Sequence, residues 1–535
     1  MKNFIISLLT VLLVFATSCN EMDQYPHNAV SSDNLTEEDA QLLLTGLYFY
    51  IQNKPTVNGY LTQDIVGGDL VRGGATGLKD PVLLVKDLVT PESGFVSGPW
   101  DGFYTALYQV NSLIVAVDKL AASQSRNEIL GVASFFRGLI YYHLVTRYGE
   151  VPILEAPFSG DIAASTETEG WSFVEKNFQV AIDYAPTFSD KYYVSKQAAK
   201  ALMARTKLAQ GKMTEAAKLA EEVIGDANFS LADFDQIFRG KANREEIFSF
   251  VNLLNESSVN LSASLYSRAS ANGGSYTYAP TTKVMNMFEP DDKRTAISID
   301  MQETNEVINK YPGGEVTTDP IIITRLGEMY LISAEAQGLS KGLSRLNELR
   351  NFRGLPSVHP ATEEDFIDAI LNERHTELLA EGFRWFDLVR LNRLESDLGF
   401  ERKYNKLPIP AKERSLNKLL NQNFIHKLET SDPQLQNYLR SISTKIEKGE
   451  IYLDAYTSRN IFLGKETVNS YRNKASRSQS PLKIYNISEM DAATNQPIPA
   501  MVQCNAKAHA NSSRRPYEYL PDERCSAAVE LILVA

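Results

Sequence analysis

The side chains able to do chemistry fall into a few groups, and their spacing limits what each could do. Paired carboxylates stand at Glu37-Glu38, Glu245-Glu246, Asp291-Asp292 and Glu363-Glu364. A glycoside hydrolase needs two carboxyl groups facing each other across a sugar at a controlled separation. Adjacency in sequence does not supply that geometry, and all four pairs are expected at solvated helix starts or in loops. The histidines, at positions 27, 143, 359, 375, 426 and 509, form neither an HExxH motif nor a close His/Cys cluster, so no metal site and no cofactor is expected. The run GGDLVRGG at residues 67–74 lacks the Gly-Lys-Ser/Thr ending of a phosphate-binding loop and follows no clear strand. It reads better as a flexible loop that offers Asp64, Asp69 and Arg72 to a polar ligand. A sugar's apolar C–H face stacks on a flat ring while charged and amide groups bind its hydroxyls. Trp100, Tyr276 and Tyr278 are the rings placed near that loop. Each has a structural reading beside the functional one: a Trp opening an amphipathic helix suits a core, and a Ser-Tyr-Thr-Tyr run suits a strand face.

The amino end carries a different chemistry. Lys2 precedes an apolar run over residues 4–15, too short to span a bilayer but the length of a secretion signal's hydrophobic region. Ala16-Thr17-Ser18-Cys19 follows and resembles a bacterial lipobox, with Ala16 where Leu is usual. That implies cleavage after residue 18 and acyl chains, palmitate among them, on Cys19. Ordinary cleavage, with Cys19 a bystander, is the alternative. Glu21 and Asp23 resemble the surface-export signal of Bacteroidetes lipoproteins.

The elements that position these groups are mainly helical. Thr36 and Asp39 read as an N-cap pair ahead of Leu42, Leu43, Leu47 and Tyr50 at helical spacing. Residues 57–98 read as irregular, helix resumes at residues 100 and 128, and Gly149 supplies a stop. Residues 196–224 read as two antiparallel helices turning at Gly211, and residues 324–351 repeat the pattern with Gln337-Gly338 in the place of Gln210-Gly211. Such pairs are what tetratricopeptide units look like. Residues 225–320, rich in Ser, Asn, Gly and Tyr, interrupt the framework with loops, where binding residues collect. Residues 366–391 read as one amphipathic helix whose charged face holds Glu373, Arg374, Glu377, Glu381, Arg384, Asp387 and Arg390. We read these as ion pairs that fix packing. The balance of 54 basic against 66 acidic residues, net −12, offers no basic face for phosphates, so nucleic acid is not an expected partner.

FIDAILNERHTELLAEGFRWFDLVRL, with YLISAEAQ, LNELRNFRGL and LPIP around it, resembles the C-terminal signature of the SusD/RagB family of Bacteroidetes outer-membrane lipoproteins. TEEDAQLLLTGLY, WDGFYTALYQVNSLI and SFFRGLIYYHLVTRYGEVPIL resemble further family blocks in the family's order. The resemblance implies a mainly α, tetratricopeptide-like scaffold with loop-rich ligand-binding insertions, in which the loop before the helix opened by Trp100 contributes to the pocket. It also implies a surface-facing, lipid-anchored protein of the cell outer membrane. Such a protein binds a nutrient, an oligosaccharide or in the RagB branch a peptide, and passes it to a SusC-like TonB-dependent transporter without catalysis. A protein-interaction scaffold with no small ligand is the rival, favoured if residues 57–98 and 225–320 pack as solid core. The expected organisation is a signal peptide at 1–18, a lipidated tether at 19–34, a SusD/RagB-like body at 35–426, and an atypical extension at 427–535. That extension is either a small module closed by a Cys504–Cys525 disulfide or a poorly ordered tail with local helix.

Overall fold

A computed structural model describes residues 35–74, 76–253, 257–266, 273–313, 319–423 and four short strands between residues 451 and 504. Cys19, the signal segment and tether, and the Cys504–Cys525 pairing lie outside the described residues. The chain divides into two units, Met1–Leu420 and Asn421–Ala535.

The first unit is a stack of helices. Its first described helix is α1 (Glu37–Asn53), where Thr36 and Asp39 form the reciprocal capping box expected from their spacing. Helix α2 (Thr56–Val66), strand β1 (Leu70–Arg72) and helix α3 (Pro81–Leu88) follow. The expectation of an irregular stretch over residues 57–98 is therefore corrected. Asp80 caps α3 with Pro81 at its first position, a start signal that the neighbouring glycines obscured. Helix α4 (Gly94–Val117) begins earlier than expected and carries Pro99 inside its second turn. Helix α5 (Gln124–Tyr148) ends at Gly149, whose φ of +74° a β-carbon would resist. It is long and apolar enough to cross a membrane, yet most of it is buried inside this unit.

Helices α6 (Glu167–Tyr184), α7 (Lys196–Ala209) and α8 (Met213–Ile224) continue the stack, each packed on its predecessor. Ala198, Ala201, Ala204, Ala216 and Ala220 are fully buried, so small side chains let the axes approach. The pair α7–α8 turns at Gly211, and the predicted second copy forms within α9 (Leu326–Phe352), which Gly338 breaks into two arms. Both glycines hold positive φ, +69° and +68°, where other residues pay about 1 kcal/mol. The first arm of α9 opens beside α7 and α9 packs on α8, so the second pair extends the first despite about a hundred intervening residues.

The insertion between the pairs holds short helices and narrow antiparallel ribbons. Strand β2 (Glu246–Phe250) pairs with β6 (Ile321–Arg325), β3 (Tyr278–Pro280) with β1, and β4 (Ile299–Gln302) with β5 (Asn305–Ile308). The segment 366–391 is two helices rather than one: α10 (Glu363–Glu377) and α11 (Arg384–Arg390). Ala380 and Gly382 take positive φ, 58° and 85°, and turn the chain between them. In the second unit the described residues form two antiparallel ribbons, Ile451–Leu453 with Ile461–Leu463 and Leu482–Ile484 with Val502–Cys504; the segments described are strands where local helix was expected.

Candidate ligand-binding site

Six side chains are candidates for ligand contact, and the fold separates them. Asp64, on α2, is fully buried and accepts the Gly382 N–H at 3.1 Å. Burial, then the neighbouring Asp69, pushes its carboxyl well above the usual range. Asp69 is buried as well, with one oxygen 2.7 Å from His375 Nε2. Trp100 sits in the core with its ring centroid 4.9 Å from both Tyr104 and Tyr148. Asp64 and Asp69 tie α2 and the residues after it to α10 and the α10–α11 turn, Trp100 packs α4 on α5, and none of the three presents itself to a ligand, which corrects their assignment as contacts. Glycine-rich sequence suggested an open loop, but apolar Leu61, Ile65, Val66 and Leu70 around it are fully buried and draw the acids inward.

Arg72, Tyr276 and Tyr278 do meet. Arg72 and Tyr278 are register partners across the β1–β3 ribbon, and the Arg72 guanidinium lies 5.2 Å from the Tyr278 ring centroid. Tyr278 is buried beneath it, while Arg72 and Tyr276 are half-exposed. Gly73 is required here: a β-carbon on it would stand 1.9 Å from the Tyr276 carbonyl oxygen. Tyr276 holds φ of +49°, an uncommon conformation for a bulky residue. Hydrogen bonds overdetermine it: its backbone N–H donates to Ala263 O at 3.3 Å, and its hydroxyl donates to Glu306 O at 2.8 Å. Gly73, Ala263 and Glu306, far apart in sequence, thus converge on the partly exposed Tyr276, two residues before the Tyr278 ring that Arg72 covers. Lys79, whose Nζ donates to Arg72 O at 2.9 Å, belongs to the same cluster and was not picked out by the sequence reading. It follows the turn after β1, in which the Arg72 N–H donates to Leu78 O at 3.0 Å.

The carboxylate pairs and the signature charges do other work. Glu246 begins β2, Glu245 directly precedes it, and both are buried, as is Asp292, contrary to the solvated positions expected for them. Glu245 is 2.7 Å from Arg325 and 2.8 Å from Arg353; Glu246 is 2.6 Å from Lys191; Asp292 is 2.7 Å from Arg294. Glu377 is the centre, bound by Arg325 at 2.6 Å and by Arg353 and Arg294 at 2.8 Å. Glu373 joins Arg294 and Arg350, Glu381 joins Lys310 and Arg325, and Asp387 joins Arg374 and Arg390. Burial alone would raise the Glu377 carboxyl, but Arg353, Arg325 and Arg294 outweigh it and hold it well below the usual carboxylate range. The signature charges are therefore ion pairs that fix packing, as read, but mostly between distant elements rather than along one helix. Arg384 is the exception, since its Nε and one Nη find no partner among the described residues. No group of three or more His, Cys, Asp or Glu side chains suited to a metal occurs among the described residues.

Two family models match the chain one after the other: "Starch-binding associating with outer membrane" over residues 28–208 and "SusD family" over residues 237–406. SusD-like protein P2 of Formosa agariphila is 24% identical over 492 residues, covering 77% of this chain and 97% of the relative. A laminarin-binding SusD-like protein shares the fold with TM-score 0.63 at 22% identity, over 72% of this chain and 98% of the other. Surface glycan-binding protein A from Bacteroides fluxus does so with TM-score 0.62 at 21% identity, over 72% and 99%. By the two consecutive family matches, over residues 28–208 and 237–406, the chain belongs to the SusD/RagB family.

Proposed function

We propose that this chain is a surface-exposed outer-membrane lipoprotein, anchored through acyl chains on Cys19, that binds an oligosaccharide and delivers it to a SusC-like TonB-dependent transporter without cleaving it. The observation that carries the binding part is the partly exposed Tyr276 ring, held in a strained backbone by hydrogen bonds to Ala263 and Glu306, two residues before the Tyr278 ring that the Arg72 guanidinium covers. A ring for the sugar's C–H face and cations for its hydroxyls are the two things glycan capture needs. Similarity to a laminarin-binding protein and to a surface glycan-binding protein supports the ligand class. Glu245, Asp292, Glu377 and Asp387 are each engaged by an arginine, which suits a frame better than an acid–base pair. The domain reading follows: signal at 1–18, tether at 19–34, binding body at 35–426 and an added segment at 427–535.

The test is a glycan array run beside a peptide library with the purified full chain, together with a reducing-end assay. Binding to a glycan class with no release of reducing ends is expected. Binding confined to peptides would move the protein to the RagB type of ligand, and release of reducing ends would defeat the non-catalytic reading. The rival scaffold reading gains from the burial of α2 and α3, and it would prevail if neither library bound.

A further inference from the structure

A cavity of about 50 Å³ lies between α2, α5, α7 and the α10–α11 turn, away from the β1–β3 ribbon. That is room for a few water-sized bodies. Its lining is unusually cationic: Arg147, Arg205, Arg374 and Arg390 all contribute to it, with Glu381 and Asp387 as the only carboxylates. Those two are already engaged. Glu381 is held by Lys310 and Arg325, and Asp387 by Arg374 and Arg390. Arg205 has Glu328 at 2.5 Å, and Arg390 is paired with Glu335 also.

Among the described residues Arg147 has no such counter-ion. It is 1% exposed, and its hydrogen bonds go to neutral acceptors: His143 Nδ1 at 2.8 Å, His143 O at 3.3 Å and Gly59 O at 2.6 Å. Its guanidinium lies 5.6 Å from the Phe103 ring centroid. Burial lowers its pKa to about 10, so it stays charged at neutral pH, and burial likewise keeps His143 neutral. Asp64, which acts on Arg147 electrostatically, is itself pushed toward the neutral form and gives it no hydrogen bond among the described residues. An unpaired buried charge is among the most costly arrangements in a protein. Two N–H donors on lining residues are also unspent among the described residues: Arg147 Nε and one Nη of Arg374.

We propose that this cavity is a binding site for one small monovalent inorganic anion of the halide class, held by Arg147 and Arg374. One unit of negative charge balances the one cation at the cavity that no carboxylate serves, and a spherical acceptor can take both unspent donors. The ion locks α2 and α5 to α10, because Arg147 comes from α5 and reaches Gly59 of α2 while Arg374 comes from α10.

The test uses the full chain in sodium gluconate exchanged for sodium chloride at constant ionic strength, with thermal unfolding as readout. The melting temperature rises saturably with chloride by about 1–3 °C, the size expected of a ligand that binds only the folded state. Arg147→Gln abolishes the response, and Arg345→Gln, which removes the exposed pairs to Glu221 and Glu348, keeps it. Crystals soaked in sodium bromide show an anomalous peak in the cavity. Should Arg147→Gln fail to fold, the wild-type titration and the bromide map still decide. A melting temperature indifferent to chloride, or a map holding only waters in the cavity, overturns the proposal.

Discussion

At the scale of single residues, the same side-chain types serve opposite ends according to what surrounds them. Trp100 has the better surface for stacking on a sugar, yet its helix turns it into a core with Tyr104 and Tyr148, and the smaller Tyr276 is left half-exposed. Tyr276→Ala should therefore weaken glycan binding about tenfold, roughly 1.4 kcal/mol, by calorimetry, with melting temperature little changed. Trp100→Ala should do the reverse, costing about 3–5 kcal/mol of stability through a core cavity, read by denaturant unfolding. Glu377 tests the ion-pair frame. Glu377→Gln leaves Arg294, Arg325 and Arg353 short of their shared counter-charge and should destabilise by about 3–5 kcal/mol at neutral pH. The pH dependence has a defined sign. Burial opposes ionisation of Glu377, Glu381 and Asp387, but their arginine and lysine partners win and depress all three. A carboxyl depressed in the folded state contributes stability above its unfolded value and loses it as pH falls through the folded one. Stability should drop as pH goes below about 4.5, and the drop should be shallower in Glu377→Gln. Asp64 runs the other way: raised by burial, it favours the folded state when protonated, and it offsets part of the loss.

At the scale of elements, helix periodicity and caps were legible because they are local. Thr36 with Asp39, Gly149, and the matching turns at Gly211 and Gly338 are all readable within a few residues. The misreadings came from signals set elsewhere in the chain. Glycines at 67, 68, 73 and 74 suggested a loose loop, but β1 is stabilised by β3, about two hundred residues later, and no pattern near β1 announces that partner. The unbroken apolar spacing over 366–391 predicted one helix; the break at Ala380–Gly382 exists because Lys310, Tyr311 and Arg325 bind the carbonyls of Glu377 and Ala380 from the ribbons. Arg72, Tyr276 and Tyr278 of the candidate site stood out as residue types, and Lys79 did not, since its place depends on the turn that brings Leu78 O to the Arg72 N–H. The paired helices give a prediction of their own. Gly338→Ala forces a β-carbon into φ of +68° and should cost about 1–2 kcal/mol in denaturant unfolding, with the helical circular dichroism of the folded state retained.

At the scale of the whole molecule, the fold is a helical frame that positions ribbons, and the proposed role is to hold a ligand where a transporter can take it. A frame braced by buried ion pairs suits that role, because such pairs specify one geometry more than they add stability. Anchoring is tested separately. Cys19→Ala should abolish incorporation of labelled palmitate and shift the protein from the detergent phase to the aqueous phase on Triton X-114 partition. The most direct test of glycan holding is titration calorimetry of the full chain against β-glucan and α-glucan oligosaccharides, with Tyr276→Ala alongside and the recovered ligand sized afterwards. We expect heat of binding for the wild type, at least a roughly tenfold weaker response for Tyr276→Ala, and ligand recovered at its starting length. Equal binding by the two proteins would contradict the assigned site, and shortened ligand would contradict a protein that binds without cutting.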